Sequence, residues 1–283
     1  QKYKFEKNKF EKRISEKYCI VSLQEINRQT LKIVYMKSIL WLLIFPIIFG
    51  ICSFSTEEDK AMEIVEKTTN TFENKPFAIV QLFTSQGCSS CPPADALLEK
   101  VKKEYEGKNV FVLSYHVEYW NRLGWKDVFS KKEFSDLQYN YSSKFSGSSV
   151  YTPQAIVNGS VHFVGSNESK MDSYISNYLK RNTENVLMIS SINKEGDKIT
   201  FNYKVDGDIA AKNLKVALAI ERKETNVKRG EIVVEQLEIS LYKTEGTATI
   251  KIPDLVERQD RLVLIGFVQT KNFNITAATQ EEI

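Results

Sequence analysis

The patterned part of the chain opens with two short, almost unbroken apolar runs, Phe77–Thr84 (FAIVQLFT) and Asn109–His116 (NVFVLSYH). Such runs suit strands buried on both faces, as in a parallel sheet. Between them Ala94, Leu97, Leu98, Val101 and Tyr105 recur at helical spacing, with Glu and Lys on the opposite face and Gly107 as a C-cap. Strand, helix, strand in this order predicts a βαβ unit with a right-handed crossover. Residues 117–149 form an aromatic-rich insertion in which Phe134, Leu137, Tyr141 and Phe145 share one helical face and Gly147 ends the helix. The stretch YTPQAIVNGSVHFVGS then predicts an X-Pro entry into a strand, an Asn158-Gly159 turn and a second strand. Residues 169–182 predict a last helix.

After Asn182 the period changes from helical to alternating. VLMISSIN and KITFNYKV flank a Gly turn as a hairpin. Further strand-like runs cover 214–221, 232–241, 247–252 and 262–269. The pattern predicts an α/β domain over 76–182, with an aromatic-rich helical insertion, and an all-β domain, a sandwich, over 184–283. Residues 57–75 are polar and read as a linker.

The net charge of +3 belongs to the leader. Residues 1–35 carry nine Lys and Arg against four Glu, or +5, which leaves −2 for residues 36–283. The folded part therefore lacks the basic footprint of a nucleic-acid partner. Met36 and Lys37 precede an uncharged stretch from Ser38 to Thr56, whose apolar centre is interrupted by Pro46 and Gly50. This layout over 36–56 fits a secretory signal better than a stable span, with a signal anchor as the other reading. Residues 1–35 are then a basic leader, untranslated if Met36 is the start. Export to the periplasm or medium is expected either way. Membrane contact is expected only through the N-terminal segment, by retention or by lipidation at Cys52, although Ile51 poorly suits lipoprotein cleavage.

Of four cysteines, only Cys88 and Cys91 fall in the folded part, within TSQGCSSCPPAD. A structural zinc site would need two further ligands, and the only histidines are His116 and His162. A staple closing so small a loop stabilises little. A redox pair needs a strand leading into a helix, so that the first cysteine sits where free N–H groups and the helix dipole favour a thiolate. Phe77–Thr84, Gln86-Gly87 and the helix after them supply that order. Pro92 and Pro93 fall in the first helical turn, where their missing N–H groups cost the helix little but leave fewer donors for the thiolate. Downstream, Thr152-Pro153 enters a strand, and proline tolerates the cis bond that redox folds of this type place opposite their cysteines.

Three motifs together, QLFTSQGCSSCPPADALLEKV, HVEYWNRLGWKD and VYTPQAIVNG, resemble the uncharacterised secreted proteins grouped as domain-of-unknown-function family 1223, placed with thioredoxin-like folds. The resemblance runs from about Pro76 to the end and is strongest through Ser166. It implies redox roles for Cys88, Cys91 and Pro153, and implies no substrate. The chain departs from the family pattern at Glu118 and Asn121, where Asp is usual; the second change removes a charge.

The expected function is an exported thiol-disulfide oxidoreductase acting on protein thiols or disulfides. In it Cys88 is the exposed nucleophile, Cys91 the resolving thiol, and Pro153 with Thr152 orients the partner chain. No organic cofactor is implied. Trp120 and Trp125 are candidates for an apolar wall that docks a peptide, although aromatics in an insertion more often anchor it. Ser89 and Ser90 either donate to the thiolate or serve as small turn residues. His116, at a strand end, reads as a proton shuttle, a metal ligand or a hydrogen-bonded core residue; His162 is expected to face outward. The alternative function is copper or zinc binding or delivery through Cys88, Cys91 and one histidine. A third is a binding module in which the β-rich part docks a partner.

Overall fold

A computed structural model of the chain describes residues 75–147, 149–222 and 231–283. The expected leader, the signal segment, Cys52 and all but the last residue of the linker lie outside these residues. Within them no helix is long and apolar enough to cross a membrane.

The protein is a mixed α/β structure built on a large sheet. Strands β1 (Ala78–Thr84) and β2 (Val110–His116) run parallel and are joined through helix α1 (Pro92–Glu104). A 3-10 helix (Glu118–Leu123) and helix α2 (Lys132–Lys144) follow. Strands β3 (Gln154–Val157) and β4 (Val161–Val164) form the expected hairpin, and both Asn158 and Gly159 have positive φ, at 48° and 64°. A side chain at Gly159 would also strike the Phe273 carbonyl, so the turn needs glycine twice over. Helix α3 (Glu168–Tyr178) is capped by the Asn167 side chain, which accepts from the Lys170 N–H.

Seven strands complete the chain: β5 (Val186–Glu195), β6 (Lys198–Asp206), β7 (Lys212–Glu221), β8 (Ile232–Ser240), β9 (Glu245–Lys251), β10 (Arg261–Thr270) and β11 (Ile275–Glu282). The alternation of the sequence marks all of them except β11, whose half-polar TQEE end carries no clear pattern.

The sequence divides the chain near residue 183, but the strands on either side share one sheet, ordered β11-β10-β7-β8-β2-β1-β3-β4. The junction is parallel, with Ser114 of β2 opposite Ile232 of β8 and the Ser114 N–H donating to the Glu231 carbonyl at 2.8 Å. Without β8, the outer edge of β2 would present unpaired backbone groups beside apolar side chains. The three-stranded sheet β5-β6-β9 packs against this larger sheet rather than forming a separate all-β unit with it.

Period-two alternation sorts the side chains. On β7, Leu214, Val216, Leu218 and Ile220 pack against Leu187, Ile189, Ile199 and Phe201 of the smaller sheet. Ala217 and Ala219 join another core, where Phe134, Leu137 and Tyr141 of α2 meet Phe83, Leu113 and Tyr115 of β1 and β2. The even positions of β1 (Ala78, Val80, Leu82) pack on Leu97, Leu98 and Val101 of α1 and on Met171 and Ile175 of α3. The cysteine pair thus stands between a buried strand and a helix fixed to it.

Candidate redox site

Strand β1 ends at Thr84, and the chain turns at once: the Cys88 N–H donates to the Ser85 carbonyl at 3.1 Å. Cys88 and Cys91 are joined as a disulfide with Cα atoms 5.4 Å apart. Cys91 is the N-cap of α1, its carbonyl accepting from the Ala94 and Asp95 N–H groups at 2.8 and 3.1 Å. Both sulfurs therefore lie at the positive end of a thirteen-residue helix. Pro92 and Pro93 occupy its first two positions, as the sequence predicts. Beneath, buried Asp95 accepts from the Thr84 hydroxyl at 2.9 Å.

The Thr152-Pro153 bond is cis and faces the disulfide. The Trp120 indole N–H, a donor only, gives its hydrogen to Thr152 Oγ1 at 2.8 Å. The Thr152 hydroxyl must then direct its own hydrogen elsewhere, and it donates to Cys88 Sγ at 3.3 Å. Ser90 Oγ is 3.5 Å from the same sulfur and also donates to the Thr152 carbonyl at 3.4 Å. Of the two serines Ser90 therefore turns toward the sulfur, while Ser89 is exposed on the turn. Gly165 closes the floor: its N–H donates to the Pro153 carbonyl, and a side chain there would meet Leu82, Ala94 and Pro153 at 2.6–3.3 Å.

Cys88 was expected to be the exposed member of the pair, and here it is not. It is 2% exposed and Cys91 is fully buried. The Thr152 and Ser90 hydroxyls lie against the first sulfur, a covering the linear motif could not reveal because Thr152 comes from a distant part of the chain. Trp120 is half-buried and serves Thr152. Trp125 points to solvent at 53% exposure, flanked by exposed Leu123 and Val128.

His116 is fully buried, and its Nδ1 lies 2.7 Å from Oδ2 of equally buried Asp127. It takes the hydrogen-bonded core role among those expected of it. Burial would raise the Asp127 pKa, but the hydrogen bond and charge of His116, with the N–H groups of Gln86 and Phe129, hold it below the ordinary carboxylate value. Asp127 did not stand out in the sequence, although it closes the second family motif. Asn121 accepts from the Asp127 N–H at 3.0 Å and donates to the Ser130 hydroxyl at 2.9 Å, two roles that an amide can fill and a carboxylate cannot. Glu118, in the first turn of the 3-10 helix, donates its N–H to Ser135 Oγ at 2.9 Å. His162 does not simply face outward. It is half-buried against Phe145, at 4.4 Å between ring centroids, with Nδ1 3.1 Å from the Tyr151 hydroxyl. Burial, then the charge of Lys170, lowers its pKa.

Among the described residues, no group of three or more His, Cys, Asp and Glu side chains is placed to hold a metal ion. A cavity of about 500 Å³ beside the far end of α1 contains none of these site residues; Lys102, Glu221, Glu231 and Arg261 on its wall pair with one another at 3.0–3.6 Å.

A crystallised protein from Agrobacterium tumefaciens is similar to this chain at 27% identity, with a TM-score of 0.55 over 74% of this chain and 95% of its own. A Bacteroides ovatus protein of the DUF3823 family matches at 20% identity and a TM-score of 0.27, over 35% of this chain and 52% of its own. No curated protein sequence matches significantly. The profile described as "Protein of unknown function (DUF1223)" matches residues 79–267, and the chain belongs to that family.

Proposed function

We propose that the protein is an exported thiol-disulfide oxidoreductase whose Cys88–Cys91 pair exchanges with cysteines of protein substrates. The observation that carries this reading is the donor chain from Trp120 to Thr152 to Cys88 Sγ. A sulfur fixed permanently in a structural staple has no use for an oriented donor, whereas a thiolate at Cys88 gains from one. The end of α1 adds its dipole to the same atom. A thioredoxin-like reading is supported by the order β2-β1-β3-β4, with β1 and β2 parallel, β3 antiparallel to β1, and a cis-proline directly before β3. Export rests on the apolar stretch from Ser38 to Thr56 alone.

The exchange balances as follows. A substrate thiolate attacks Cys88 Sγ; the S–S bond to Cys91 breaks, and Cys91 leaves as a thiolate that takes a proton from solvent. A second substrate thiolate then attacks the substrate sulfur of the mixed disulfide. The substrate leaves oxidised by two electrons, and Cys88 and Cys91 remain as the dithiol. The reverse sequence reduces a substrate disulfide by the same steps. Exposed Leu123, Trp125 and Val128 would offer an approaching unfolded segment an apolar surface, in keeping with the docking role first given to the tryptophans. Cys91→Ser tests the proposal: Cys88 should accumulate disulfide-linked partners in the exporting cell. No adduct, together with no exchange by the purified wild type, would refute it.

A further inference from the structure

The turn that carries Cys88 is held internally by two bonds to Ser85, from the Cys88 N–H to its carbonyl and from the Gly87 N–H to its hydroxyl, both at 3.1 Å. Besides the Thr152 hydroxyl on Cys88 Sγ, the turn's backbone is tied to a neighbouring segment by the Gln86 N–H, which donates to Asp127 Oδ2 at 2.8 Å. Asp127 is itself fastened. Its Oδ1 accepts from the Phe129 N–H at 3.0 Å, its N–H donates to Asn121, and its carbonyl accepts from the Ser130 hydroxyl at 2.8 Å. His116 stands at the end of β2, opposite Thr84 of β1, and donates Nδ1–H to the same Oδ2 that holds Gln86. Among the described residues its buried Nε2 has no hydrogen-bond partner, and the polar contact of the ring is Asp127. A buried titratable pair that touches neither solvent nor sulfur, yet grips the backbone two residues before Cys88, is placed to set the geometry of the cysteine turn.

We propose that Asp127 is the positioning residue of the Cys88 turn and that His116 acts through it, by aiming Oδ2 at the Gln86 N–H. The inference rests on the exchange reading above and adds residues to that same site. An anchored turn keeps the two thiols of the reduced protein facing each other, which raises their effective concentration and favours closure of the disulfide. A released turn lets the dithiol relax, and the equilibrium moves toward the reduced form.

The experiment measures the equilibrium of Cys88–Cys91 with glutathione on the purified protein, by alkylation and mass spectrometry, with circular dichroism to establish that each variant is folded. Asp127→Asn should move the equilibrium about tenfold toward the dithiol, or about 30 mV for this two-electron couple. Gln86→Pro removes only the N–H that Asp127 accepts, at the second position of the turn, where proline is favoured. It should shift the equilibrium in the same direction and leaves the buried pair intact, so it decides the matter if Asp127→Asn does not fold. His116→Leu should behave like Asp127→Asn, whereas His116→Asn keeps a side-chain N–H toward Oδ2 and should restore most of the wild-type value. A Gln86→Pro equilibrium within about twofold of wild type overturns the positioning role. Equal shifts in His116→Asn and His116→Leu overturn the part given to His116. A wild-type pair that never exchanges with glutathione instead overturns the exchange reading itself.

Discussion

On the proposed exchange reading, a single threonine hydroxyl sets the electrostatics of Cys88. Thr152 Oγ1 accepts from the Trp120 N–H and directs its one hydrogen at Cys88. A hydrogen bond to a charged group contributes about 1.5–3 kcal/mol, so Thr152→Val should raise the pKa of reduced Cys88 by at least about one unit. Ultraviolet thiolate absorbance against pH reads this directly, and an unchanged value would remove Thr152 from the mechanism. Trp120→Phe frees the hydroxyl to turn and should give a smaller shift of the same sign. Asp127 and Asp260 both titrate below the ordinary carboxylate value, although burial works against it. Asp127 is held down by His116 and backbone N–H groups, and Asp260 by Arg222 and the Glu257 N–H. Their stabilisation is in full force above the unfolded value of about 3.9 and is lost as pH falls through the lower folded values. Asp260→Asn should therefore lower stability at neutral pH and flatten its acid limb below about pH 4, as read by urea unfolding at a series of pH values. Of these residues, Cys88, Cys91, Thr152 and Pro153 stand out in the sequence by residue type and order, and the structure brings them together. Asp127 does not stand out, because a lone Asp on a loop looks like any turn residue until His116 is seen 2.7 Å away.

At the scale of elements, helix α2 holds the sheet together through one phenol. Tyr141, fully buried, donates to Gln81 Oε1 on β1 at 2.6 Å and accepts from Gln269 Nε2 on β10 at 2.9 Å. Burial drives its pKa well above the ordinary value, so the hydroxyl stays protonated and able to donate. Tyr141→Phe removes the donor to Gln81 Oε1, while Gln269 Nε2 keeps the Phe273 carbonyl, and should cost about 1–3 kcal/mol in urea unfolding. A loss below about 0.5 kcal/mol would mean that the Gln81 amide finds another partner. The helix itself was legible from Phe134, Leu137 and Tyr141 on one face. The hydrogen bonds it makes were not, since periodicity reports which face is buried and not which polar atoms meet there.

At the scale of the molecule, the boundary near residue 183 marks a change of local pattern without a separation of cores. The apolar runs of β7, β8 and β10 mark them as strands, but nothing in a strand's own pattern tells which sheet it joins. Ala217, Val233, Val263 and Phe267 share a core with Phe83, Leu113 and Tyr115, and β8 covers the edge of β2. Residues 76–182 alone should therefore fail to fold cooperatively, exposing the face that those residues cover. A cooperative, native-like thermal transition in that fragment would show that the first segment is independent after all. The central claim, that Cys88–Cys91 is an exchanging pair, is tested most directly by titrating the purified protein against glutathione redox buffers and trapping thiols with an alkylating agent. The account expects a reversible two-electron transition within the range such buffers reach, abolished by Cys88→Ser. A disulfide that remains closed in the folded protein across the whole range would make the pair a structural staple and contradict it.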